Sequence, residues 1–116
     1  MIKMSKVVKQ MLDDKVEDFN KKVNEDANFS KMIEGKNRSI CICISDGDNY
    51  SSRLENLKLD PFVRTDDENT DLIVTASAEI LEALMLKTMS PVKAYMKGDL
   101  KVKASFTDML LLKRLF

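Results

Sequence analysis

The segment Ser90 to Leu110, SPVKAYMKGDLKVKASFTDML, constrains the fold more tightly than any other stretch of the chain. Ser90 suits a helix N-cap, Pro91 the first helical position and Gly98 the left-handed residue that ends a helix. Only about two turns fit between them, and they place Val92, Tyr95 and Met96 at core spacing. From Asp99 to Ala104 the chain alternates Leu100, Val102 and Ala104 with Lys101 and Lys103, the period-two pattern of a strand with one buried and one wet face. A sheet must therefore lie beneath it. Ser105, with Asp108 three residues later, opens a last helix whose apolar residues are Phe106, Met109, Leu110, Leu112, Leu115 and Phe116.

The preceding elements supply the rest of a layered domain. Residues 4 to 23 put Met4, Val7, Val8, Met11, Leu12, Val16, Phe19 and Val23 at steps of mostly three and four, an amphipathic helix whose polar face mixes both charge signs. Asn24 to Asn28 reads as a break, followed by a short helix around Phe29, Met32 and Ile33 that Gly35 ends. Ser39 to Ser45, SICICIS, alternates Cys41 and Cys43 on one face with Ile40, Ile42 and Ile44 on the other, a central strand covered on both sides. The D-G-D-N turn returns the chain into Tyr50 to Leu59, where Leu54 falls out of phase with Leu57 and Leu59 and a bulge is expected. Phe62 to Thr65 reads as an edge strand, Leu72 to Thr75 as a further strand, and Ala78 to Thr88 as a helix capped by Ser77 and apolar most of the way round. The fold class is α+β, a layered domain over residues 1–116, with a mainly antiparallel sheet of about five strands covered by about four or five helices.

Catalytic parts are scarce. The chain has no histidine, and neither cysteine nor any serine sits in a nucleophile context. Its three glycines form no phosphate-binding loop. Cys41 and Cys43 lack the second ligand pair that zinc needs, and the D-D-E-N-T-D run at 66–71 lacks the spacing and mid-loop glycine of a calcium loop. No metal, no cofactor and no enzymatic activity are expected. Nineteen basic residues balance nineteen acidic ones, so the clustered positive footprint of a nucleic-acid binder is missing. Charge interrupts the apolar residues of the first 19 positions, which argues against a signal peptide or a membrane span. A cytoplasmic location is expected, and the closing Arg114-Leu115-Phe116 is not a peroxisomal tripeptide.

The run K-A-Y-M-K-G-D-L-K-V-K-A, between a helix and a hydrophobic last helix, resembles the sterol carrier protein 2 family of lipid-binding domains. Members of that family read roughly aromatic-Met-x-Gly-x-Leu-Lys-Val/Ile-x-Gly at this point. The resemblance extends from about residue 39 to 116. The chain departs from the pattern at Ala104 and Ser105, where the family usually has glycine, and in YSSRLENLKLD, which lacks its usual aromatic-Asp pair. The resemblance implies non-catalytic binding or transfer of a fatty-acyl, sterol-like or isoprenoid lipid in a hydrophobic tunnel between the sheet and the C-terminal helices. The residues expected to line it are Leu81, Leu84, Met85, Met89, Tyr95, Met96, Leu100, Val102, Phe106, Met109, Leu110 and Phe116, a set whose methionines adapt to ligands of different shape. Taken alone, the same residues equally suit a solid core. Residues 76 to 116 hold seven Lys/Arg against four acids, an excess suited to transient contact with an anionic membrane. The alternative is an interaction module that pairs as a homodimer, or joins a larger enzyme, through the apolar terminal helix.

Overall fold

The computed structural model of the chain describes residues 4–116. Helix α1, Met4–Glu25, carries the long amphipathic pattern, and Val8, Leu12, Val16, Phe19 and Val23 form its buried stripe. The surroundings expected for the Met4 side chain lie outside the described residues. The break after α1 is a single residue, Asp26, whose carboxylate accepts the Asn28 and Phe29 amides and so starts α2, Ala27–Ile33. Phe29 meets Phe19 edge to face with 5.0 Å between ring centroids, which sets α2 against α1.

The sheet is built around β1, Arg38–Ile44, the centre of the order β3-β2-β1-β5-β6. The strands beside it are β2, Asn49–Glu55, which is antiparallel to it, and β5, Leu72–Ala76, which is parallel. Parallel register sets Ile40, Ile42 and Ile44 beside Leu72, Val74 and Ala76. All six are buried in the main core, so this face is a continuous apolar floor for the helices. At one edge, β3, Lys58–Leu59, and β4, Val63–Thr65, share the far side of β2. At the other, β6, Lys101–Lys103, pairs antiparallel with β5 and keeps the predicted alternation of exposed lysines about the half-buried Val102. The backbone edge of β3 is closed by Asn20 of α1, whose side-chain amide both donates to the Leu59 carbonyl and accepts from the Leu59 amide, each at 2.8 Å.

Three local expectations are corrected. Tyr50 to Leu59 is not one bulged strand. A two-residue turn at Asn56 and Leu57, with φ of 53° and 62°, folds β3 back on β2 and pairs Leu54 with Leu59. The lost phase that suggested a bulge is the reversal itself, and it leaves Leu57 outside. The helix after β5, α3, covers Ala78–Met85 and stops short of Thr88. Lys87 takes a left-handed φ of 63°, and the Thr88 and Lys87 amides donate back to the Ala83 and Leu84 carbonyls. This is a Schellman ending without glycine. Finally, α4, Pro91–Lys97, has the expected Ser90 cap and Gly98 end, but its Val92, Tyr95 and Met96 are exposed; only Ala94 is buried.

Both central residues of the Asn56-Leu57 turn have positive φ, a geometry in which Asn-Gly is the favoured pair and a branched apolar side chain is strained. Leu57→Gly should raise the unfolding free energy by about 1 kcal/mol. In urea denaturation the midpoint should rise at unchanged slope; a lower midpoint would mean that Leu57 makes a packing contribution this geometry does not account for.

Candidate functional site

Helix α5, Phe106–Leu115, closes the core from above. Its Leu111, Leu112 and Leu115 face Phe19 of α1, Ile40 of β1 and Leu59 of β3 across an apolar seam. The space between these atoms is nowhere wide enough for a water molecule. The seam is a closed joint between a helix and a sheet rather than an open channel.

Two contacts hold α5 on this joint. At its start the Asp108 carboxylate, itself buried, accepts from Arg38 Nε at 3.1 Å, at the first residue of β1, and from Lys36 Nζ at 3.3 Å, just before it. Ser105 caps the same turn by accepting the Asp108 amide. Burial by itself would push the Asp108 carboxyl up, but hydrogen bonds involving Arg38, Ser105 and Lys36 outweigh it and hold the carboxyl below its ordinary value. At the other end the Arg114 guanidinium lies over the Phe29 ring, 5.5 Å from its centroid. The helix is thus pinned to the sheet entry by charge and to α2 by a cation–π contact, with leucines between.

The twelve residues expected to line a tunnel are dispersed. Leu81, Leu84 and Met85 of α3, Leu100 and Phe116 are buried in the general core, while Met89, Val102 and Met109 are half-buried. Tyr95, Met96, Phe106 and Leu110 are exposed, Phe106 to 80%. None of the twelve belongs to the set that lines the seam. Of its α5 members, Leu112 and Leu115 were among the apolar residues read for the last helix, but neither was assigned to the tunnel. For Leu111 the available signal was its place in the middle of the L-L-L run at 110–112.

On the opposite face of β1, Cys41 and Cys43 stand with Sγ atoms 3.4 Å apart, and the Cys43 thiol donates to Glu68 Oε1 at 3.1 Å. Burial pushes both thiols up, and the bond to Glu68 adds to the rise at Cys43, which reaches about 12. They are protonated at neutral pH and poor nucleophiles. No group of three metal-ligating side chains is assembled among the described residues. Nor is any described helix long and apolar enough to cross a membrane.

A model of the SCP-2 sterol transfer family matches residues 10–116, nearly the whole chain. The chain belongs to that family. No curated protein sequence matches it. Among solved structures, the solution structure of sterol carrier protein 2 from Aedes aegypti in complex with a C16 fatty acid, palmitate, is similar with a TM-score of 0.63 and 19% identity, covering 91% of each chain. A possible sterol carrier protein from Thermus thermophilus matches with a TM-score of 0.60 and 14% identity, over 99% of this chain and 85% of that one. An inverting sec-alkylsulfatase from Pseudomonas sp. gives a TM-score of 0.60 at 13% identity over 75% of this chain, but this chain spans only 14% of the enzyme's length. At these identities the likenesses establish the fold, and the SCP-2 fold here carries the leucine seam as its helix–sheet joint.

Two measurements follow. The Asp108 carboxyl binds its proton less tightly folded than unfolded, so its contribution to stability is complete above the ordinary carboxylate range and fades as pH falls through about 3.8 and below. Asp108→Asn should cost about 1–3 kcal/mol at neutral pH, because it leaves Arg38 and Lys36 without their shared anion, and the difference from wild type should shrink on acidification. An unchanged difference between neutral and acid denaturation curves would refute the assignment. Separately, the native thiols should react with a disulfide reagent at least about a hundredfold more slowly than in the denatured chain; comparable rates would show that the Cys41–Cys43 pair is open to solvent.

Proposed function

We propose that the domain binds a fatty-acyl lipid, without catalysis, by admitting its chain between α5 and the apolar face of the sheet. The observation that carries the proposal is the seam: six apolar side chains meet beneath a terminal helix that is fastened at its two ends. Family membership and the palmitate held by the similar Aedes aegypti protein support the same reading.

The dimensions define how the site must work. Pockets for ligands of this size are roughly 300–1,000 Å³, whereas the seam has no room even for a water molecule. An acyl chain therefore enters only as Leu111, Leu112 and Leu115 move off Phe19, Ile40 and Leu59. Those leucines occupy the ligand's place in the closed state, and the free-energy gain is limited to the additional apolar surface that the chain covers. Phe106, Met109 and Leu110 stand on the same helix outside the seam, with Phe106 and Leu110 exposed. The absence of histidine and the inert thiols support binding rather than chemistry.

The interaction-module alternative has less surface than the sequence suggests. Leu112, Leu115 and Phe116 are buried within the chain itself, which leaves Phe106 and Leu110 as the exposed large apolar side chains of α5.

Titration with saturated fatty acids of increasing length tests the proposal. Each added methylene buried in the site is worth about 0.8 kcal/mol, so the dissociation constant should fall several-fold per carbon until the opened seam is full, then level off. Affinity that does not depend on chain length, or no binding at any length, would overturn it.

A further inference from the structure

The ion pair that fastens α5 stands at one end of the leucine seam. Leu111, Leu112 and Leu115 follow Asp108 by three, four and seven residues, the spacing that keeps helical side chains on one face. On β1, Arg38 and Ile40 lie two residues apart and so share the side that meets the helix. The register sets Arg38 directly across from Leu54, and Leu54 across from Leu59, which lines the seam. Both walls therefore turn from apolar to charged in the same direction, α5 from Leu111 to Asp108 and β1 from Ile40 to Arg38. Water reaches this end: the side chain of Arg38 is 36% exposed and that of Lys36 18%, against 8% for Asp108.

The two cations have donors to spare. A guanidinium carries five N–H groups and an ammonium three. Arg38 Nε donates to the two oxygens of Asp108 at 3.1 and 3.3 Å, Arg38 Nη1 donates to the Asn37 carbonyl at 3.0 Å, and Lys36 Nζ donates to Asp108 at 3.3 Å. Among the described residues, Arg38 Nη2 meets no acceptor and no second acid pairs with either cation. The neighbouring carboxylates are engaged elsewhere. Asp71 accepts the Ser39 amide and hydroxyl, and Glu55 accepts from Asn37 and pairs with Arg53. A planar guanidinium fork beside a mobile ammonium matches the geometry of a carboxylate, and here the pair sits where an apolar joint comes out to water.

We propose that Arg38 and Lys36 bind the carboxylate of a free fatty acid beside Asp108, with its tail running beneath Leu111, Leu112 and Leu115. This site rests on the acyl-binding reading and adds the headgroup and the direction of the chain. Asp108 keeps its bond to Arg38, so α5 stays fastened while its leucines part. An ester or alcohol of the same length would fill the seam but offer the spare donors no anion. Arg114, near the other end of α5, has its guanidinium over the Phe29 ring instead.

The test is titration of the full chain at neutral pH with saturated fatty acids and with their methyl esters over the same range of chain lengths. Both series should tighten with length, and each acid should bind at least about tenfold tighter than its ester. Lys36→Gln leaves Arg38 on Asp108 and should reduce that ratio at least about threefold with ester affinity unchanged; Lys21→Gln combined with Lys22→Gln on α1 should not alter it. Urea denaturation checks that the variants fold, and the wild-type ratio needs no substitution at all. Equal affinity for acid and ester, with the length dependence retained, would overturn this site and leave the acyl-binding reading standing. No binding in either series, or no dependence on length, would overturn both. A ratio undiminished by Lys36→Gln, or one that collapses in Arg114→Gln instead, would also overturn the site, the latter by placing the carboxylate at the opposite end of the seam.

Discussion

A buried carboxylate governs how this domain is closed. Asp108 sits at the first turn of the terminal helix, and its partners lie some 70 positions earlier, at the entry to the central strand. Removing a carboxylate from water is tolerated only where donors replace the lost solvation, and Arg38 and Lys36 provide that replacement at one point in the fold. The requirement is directional: the helix must begin where the donors are. Once it does, its leucines fall on the floor formed by β1 and its neighbours, and Arg114 reaches Phe29. The direction of the last helix is thus set by charge and its depth by apolar contact.

That division of labour suits a lid. Leucine against isoleucine and phenylalanine has no preferred register finer than the size of a methyl group, so an apolar joint can part and re-form around a guest. An ion pair held by specific donors cannot slide without breaking. A helix fastened near its ends and greased in the middle can open about its fastenings while keeping its direction, which is the behaviour an acyl-binding site under α5 requires. The sulfatase similarity shows the same fold as a small part of a much longer enzyme, and the charge-set entry of α5 is internal to the domain, so it would operate in either setting.

How much of this was legible in the sequence depended on whether the signal was carried by residue type or by a partner. The limits of α4 could be read because serine, proline and glycine each restrict the backbone in their own way. The end of α3 could not, because Lys87 adopts a glycine-like conformation and the signal lies in amides returning to Ala83 and Leu84. The turn at Asn56 and Leu57 was hidden for the same reason. Periodicity grouped Val92, Tyr95 and Met96 correctly on one side of a helix, yet it says which residues share a face and not what that face meets; here it meets solvent. The contacts that shape the candidate site, Asp108 with Arg38 and Leu111 with Phe19 and Ile40, join residues too far apart in sequence for any local pattern to record.

The clamp of Asn20 on Leu59 has a consequence for how the molecule behaves in a crowded solution. An unpaired strand edge is a template on which another chain can add a strand, the first step toward fibrils. Here one side-chain amide occupies both backbone groups of Leu59, and the opposite edge strand turns Lys101 and Lys103 outward. The sheet is therefore closed by a hydrogen-bonding plug at β3 and guarded by electrostatic repulsion at β6. If α5 lifts as the acyl-binding proposal requires, these two borders limit polymerisation through the sheet's edges while apolar surface is exposed.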